Sequence, residues 1–119
     1  MKKYFRLAGF GVVFSTRAKG EQIGNALVDV LSELDENNTL VIEFSGVEAV
    51  SYSFMDQLLR QLILALPQST KSNKTLAIAG WSMDLLPVVD KALERRNCQL
   101  SSAHSLGRTD ERLLICHGG

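Results

Sequence analysis

Ser51, Tyr52 and Ser53 put three hydroxyl groups in a row, and Asp56 follows Ser53 at the spacing S-x-x-D. Hydroxyls at the start of a helix can do one of two things. They can accept a backbone N–H and cap the helix, or they can carry a phosphate where unpaired N–H groups favour negative charge. The S-x-x-D spacing directly before an apolar run is a capping-box pattern, in which Ser53 would receive the Asp56 N–H and Asp56 would reach back. The cap outweighs a phosphosite on this reading, because it needs no enzyme and Asp56 would repel a phosphate on Ser53. Tyr52 reads equally as a half-buried loop aromatic or as an anchor for a partner, since tyrosine buries much area with few torsions.

Other chemically capable residues form weaker patterns. Cys98, His104, Cys116 and His117 contain no C-x-x-C or H-x-x-x-H pair, so neither a zinc site nor a Cys/His nucleophile has a local signature. No metal or cofactor is expected. The two cysteines fit reduced thiols better than a disulfide framework. Arg17 and Lys19 read as a solvated face rather than an anion site. Gly20 and Gly24 lie one helical turn apart and suggest close packing, because the Gly-Lys-Ser/Thr of a phosphate loop is missing. Asp90 and Glu94, with Lys91, Arg95 and Arg96, read as the charged outer face of a helix.

These residues must be held by elements that the hydrophobic pattern outlines. The chain has 119 residues, 45% apolar, with 13 basic and 13 acidic side chains. This is enough for a single domain over residues 1–119, and the balance of charge gives no general basic field for nucleic acid. Arg6 and two glycines interrupt any N-terminal signal core, and no apolar run is long enough for a membrane span. The expectation is a cytoplasmic protein without a membrane or nucleic-acid partner.

Strands are expected at Lys3 to Leu7, Gly11 to Phe14, Leu40 to Phe44, Thr75 to Ala79, Cys98 to Ala103 and Arg112 to Cys116, the last at the sheet edge. Glu43 suggests a wet face on the third strand. Helical periods follow Ser15 or Thr16, which cap the first helix. A second helix runs from about Ser53 to Leu66, with Pro67 helping to stop it. A third, capped by Ser82, runs from Met83 to about Arg96. Short apolar runs alternating with helical periods indicate an α/β domain with a central mixed sheet of about four or five strands and helices packed on it. Leu40, Ile42, Phe44, Leu76 and Ile78 should be buried.

Within that order, IEFSGVEAVSYSFMDQLL at 42–59 resembles the core of STAS domains, which include anti-sigma factor antagonists. It is closer to divergent STAS-like domains with a Gly-Val step and a Ser-Phe-x-Asp helix start, here Val47, Ser53, Phe54 and Asp56. In the regulated antagonists an Asp-Ser-Ser-Gly loop opens this helix, and its second serine is phosphorylated by a histidine-kinase-like ATPase. Ser53 aligns with that serine, while Ser51, Tyr52 and Phe54 replace the Asp, the first Ser and the Gly. The resemblance implies a STAS-like fold and a non-catalytic signalling module that binds a protein partner through Ser51, Tyr52, Ser53 and the following helix. The alternative is a small enzyme or ligand-binding protein that uses the same loop. The oligomeric state is not readable from these residues.

Overall fold

Two five-residue apolar strands form the centre of the molecule. In the computed structural model, which describes residues 2–35, 38–69, 75–100 and 112–116, they are β3 (Thr39–Glu43) and β5 (Thr75–Ala79). They pair in parallel, Leu40 beside Leu76 and Ile42 beside Ile78. β1 (Lys2–Arg6) adds in parallel to the other side of β3. The antiparallel strand β7 (Arg112–Cys116) follows β5, and β6 (Cys98–Leu100) pairs with β7. The mixed sheet therefore has the order β1-β3-β5-β7-β6. β7 lies inside the sheet and β6 takes the edge, which corrects the expected placement of Arg112 to Cys116. The order of strands in space is a tertiary property that the hydrophobic pattern of one strand does not carry.

Helices α1 (Arg17–Glu33), α2 (Tyr52–Ser69) and α3 (Leu86–Arg95) pack on one face of this sheet. Ile23, Leu27 and Leu31 of α1 join Phe54, Leu58, Leu59 and Leu62 of α2 and Val89 and Leu93 of α3 over Leu40, Ile42, Leu76 and Ile78. All five expected core residues, Phe44 included, are buried. Val41, Ala77 and Ala79 form a smaller apolar cluster on the opposite face, with Leu113 against it. The fold is α/β and STAS-like.

Local chemistry explains most helix ends. Thr16 caps α1, its Oγ1 accepting the Lys19 N–H at 3.1 Å. α2 begins one residue earlier than expected and continues past Pro67 to Ser69. A proline costs only its own N–H bond and a local clash, and near a helix end the backbone can carry both. α3 starts at Leu86 rather than Met83 and has no side-chain cap; residues 82–85 form a turn in which Ser82 O accepts the Leu85 N–H. Pro87 then sits in the first helical turn, where its missing N–H costs nothing.

Two features were not anticipated. Glu43 is buried rather than wet and accepts a hydrogen bond from the Ser45 hydroxyl. Cys98 is disulfide-bonded, and Cys116, the other cysteine of the chain, stands across from it in the β6–β7 register. The expectation of reduced thiols is thereby overturned in this structure, because the antiparallel ribbon brings together two residues distant in sequence. His104 and His117 lie outside the described residues. Among the described residues no cluster of three His, Cys, Asp or Glu forms, and no helix is long and apolar enough to cross a membrane.

Candidate functional site

The chain leaves β3 through a tight turn in which the Val47 N–H donates to Phe44 O at 2.9 Å. Gly46 has φ +88°, a conformation that a side chain resists. The chain then meets β2 (Val13–Phe14) as β4 (Ala49–Val50), a two-residue parallel pairing separate from the main sheet. The Ser51 N–H donates to Phe14 O at 2.8 Å. The Phe14 and Phe54 rings then pack in a tilted pair, with centroids 4.9 Å apart. Both rings are buried. Phe54 thus turns into the core and packs the start of α2 against β2.

Ser51 is the cap of α2. Its Oγ accepts the Phe54 N–H at 3.0 Å, and its carbonyl accepts the Met55 N–H at 3.1 Å. Ser53 therefore lies inside the first turn, two residues beyond the cap. This corrects the capping box read from Ser53 and Asp56. The three-residue reach of a serine cap is satisfied equally by Ser51 and Phe54, and the β2–β4 pairing selects that register. Ser53 is half-exposed. Tyr52 is also half-buried, packs against the core, and has the Lys91 ammonium 5.3 Å from its ring centroid.

Asp56 does not reach back to Ser53. Its Oδ2 accepts from Arg17 at 2.9 Å, and its Oδ1 lies 3.1 Å from an Arg96 nitrogen. The Asp56 side chain is 9% exposed, against 50% for Arg17 and 28% for Arg96. Burial alone would raise the pKa of this carboxyl. The hydrogen bond from Arg17 and the charges of Arg96 and Arg17 outweigh burial and hold it below the ordinary 3.8. Arg17 opens α1 and Arg96 follows α3, so one carboxylate ties all three helices together. Neither arginine was assigned this role from sequence. The sequence separation of α1, α2 and α3 hides it, and only the packing of the helices reveals it.

The seam between α1 and α2 is close. A Cβ on Gly20 would lie 2.6 Å from Phe54 O, and one on Gly24 would lie 2.8 Å from Gln61 Oε1. The paired glycines thus serve packing, as their spacing suggested. Along the rim of this seam, Gln57 Nε2 donates to Gln61 Oε1 at 3.3 Å, and Gln61 Nε2 donates to Glu21 O at 3.2 Å and to Asn25 Oδ1. The outer face of α2 thus runs from Ser53 across the Arg17–Asp56–Arg96 group to exposed Arg60 and Leu64.

Hollows of about 530, 430 and 280 Å³ lie elsewhere. The first is between β1 and the end of α1, the second between α3 and β6, and the third beside Arg6 and Glu43. None of these three is lined by Ser51, Tyr52 or Ser53.

Comparison with curated proteins and with solved structures found no match. A family model described as a STAS-like domain of unknown function (DUF4325) matches residues 27–84. That stretch runs from α1 through β3, β4, α2 and β5 to the turn before α3. That stretch is similar to the STAS-like family, and the mixed sheet with its helices around it is consistent with a STAS-like α/β fold.

Proposed function

We propose that this protein is a non-catalytic regulatory module that docks a protein partner on Ser51, Tyr52, Ser53 and the outer face of α2. The observation that carries the reading is the arrangement of this corner. A frame of β2, β4 and the packed Phe14–Phe54 pair presents hydroxyls and a half-buried tyrosine at the start of α2, and they line none of the three hollows described above. A surface corner with a tyrosine anchor suits a protein partner, whereas small substrates are usually held in concave pockets. The polar groups are also unsuited to acid–base work. The Ser51 hydroxyl is used by Phe54 N–H, and Asp56 is held as a carboxylate by two guanidiniums, too weak a base near neutral pH.

The partner in this reading is a histidine-kinase-like ATPase, and Ser53 is its phospho-acceptor. The Ser53 oxygen would take the γ-phosphoryl group of ATP, losing its proton as ADP leaves. The objection that Asp56 repels such a phosphate weakens, because Arg17 and Arg96 neutralise that carboxylate. A phosphate within the first turn of α2 also faces the positive end of the helix.

The test uses the wild-type chain and its Tyr52→Ala and Ser53→Asp variants as baits for candidate ATPases, with binding measured by calorimetry. Wild-type binding that weakens at least tenfold in both variants supports the reading. Equal binding by all three removes this face as the interface. Incubation of a binding ATPase with ATP should add one phosphate, located on Ser53 by mass spectrometry; an unmodified Ser53 eliminates the phospho-acceptor role.

A further inference from the structure

Cys98 and Cys116 have no part in the α2 face, yet the strand order brings them together. β6 follows α3 after Arg96 and Asn97, and Asn97 takes the left-handed conformation, φ 59°, that turns the chain back into the sheet. β6 then pairs antiparallel with β7 in a register that sets Cys98 directly opposite Cys116. Directly opposed residues of antiparallel strands have Cα atoms about 4.5–5.5 Å apart, within the range that a disulfide spans without backbone movement. β6 is only three residues long and lies at the sheet edge, so it has few ladder bonds of its own to hold it.

We propose that Cys98 and Cys116 form a reversible disulfide that fastens β6 to the sheet and thereby holds Arg96 on Asp56. Two observations beyond the register support a reversible bond. The first is access: Cys98 is buried but lines the open hollow of about 430 Å³ between α3 and β6, with Asp90, Glu94 and Asn97. The carboxylates of Asp90 and Glu94 make this entrance unfavourable to anionic thiols and suit an uncharged dithiol or disulfide. The second is that the reduced state is accommodated. Cys98 Sγ lies 3.3 Å from Arg96 O, so a thiol there has a carbonyl to which it can donate. The same contact places the sulfur beside the backbone of the residue that pairs with Asp56.

Bond formation takes two electrons and two protons from the cysteine thiols. A low-molecular-weight or protein disulfide accepts them and leaves as two thiols, through a transient mixed disulfide at one cysteine. Opening is the reverse reaction with a dithiol. Closing restricts the chain between the cysteines, and opening frees β6 and, through Asn97, the position of Arg96. The proposal holds whether or not the α2 face binds a partner.

The reduced full-length chain is equilibrated with 2-hydroxyethyl disulfide, an uncharged probe, then denatured, alkylated and weighed intact. The expected product takes up no alkyl group and carries no mercaptoethanol. Two alkyl groups, or a persistent mixed disulfide, overturn the bond. Reduction of the closed form with dithiothreitol should lower Tm by about 5–10 °C. Cys116→Ser should match the reduced wild type and be insensitive to reductant; Cys98→Ser checks the same point where it folds. An unchanged Tm on reduction contradicts the fastening role. Asp56→Asn should lower Tm less in the reduced chain than in the closed chain. Equal losses, within about 1 °C, overturn the link to Arg96.

Discussion

Asp56→Asn removes one negative charge and keeps the side-chain volume, so it isolates what the carboxylate does between Arg17 and Arg96. Two limits bracket the cost. Exposed ion pairs contribute about 0.2–1 kcal/mol each, whereas removing one partner of a buried pair costs about 3–5 kcal/mol. Asp56 is close to the buried limit at 9% side-chain exposure, but its arginines are 50% and 28% exposed, so water screens both pairs and can receive the released guanidiniums. The expected loss is about 1.5–3 kcal/mol, or about 6–10 °C in Tm for a domain of this size.

The dependence on pH has a definite sign. The folded-state pKa is lowered, so the unfolded chain binds the proton more readily. The carboxylate's contribution is fully present above the unfolded pKa of about 3.9 and is lost as pH falls through the lowered folded value. Urea unfolding of wild type and Asp56→Asn should therefore differ at pH 7 and converge as pH drops below about 4. Equal midpoints at pH 7, or a gap that persists undiminished at pH 2, would refute the assignment of Asp56 as the tie between the helices.

Three further predictions concern the frame. Ser51→Ala should cost about 0.5–2 kcal/mol in chemical denaturation through loss of the α2 cap, while Ser53→Ala should stay within about 0.5 kcal/mol of wild type; the reverse order would restore Ser53 as the cap. Gly20→Ala should destabilise by about 1–3 kcal/mol, because its Cβ would meet the Phe54 carbonyl of the α2 backbone rather than a side chain that can swing away. Gly24→Ala should cost less, since the atom it meets is the end of the Gln61 side chain; calorimetric scans of the two variants check the ranking.

What could be read from the residues follows the range of the interactions involved. The apolar runs of β3 and β5, the helical period of α1 and the Thr16 cap are local patterns, and each was readable where it occurs. The start of α2 was readable only to within two residues. Ser51 and Ser53 both have an N–H three positions ahead, and the choice rests on a two-residue pairing with β2 that is too short to leave a periodic trace. The tie at Asp56 and the opposition of Cys98 and Cys116 depend on how helices and strands are ordered in space. Asp56 was singled out for its spacing from Ser53, but its partners come from α1 and the end of α3. The family resemblance, in contrast, rested on 42–59, a contiguous segment in which strand, turn and helix start are adjacent, and the matched family stretch contains it.

The central claim is that the corner of Ser51, Tyr52 and Ser53, with the outer face of α2, is where a protein partner binds. Hydrogen exchange of the full-length chain, measured alone and with a saturating ATPase partner established by the binding assay, tests it most directly. The account predicts slowed exchange in peptides covering 48–60, with peptides of β1 and β6 unchanged. Protection confined to β1, β6 or the hollow at the end of α1, with 48–60 exchanging as in the free chain, would contradict it.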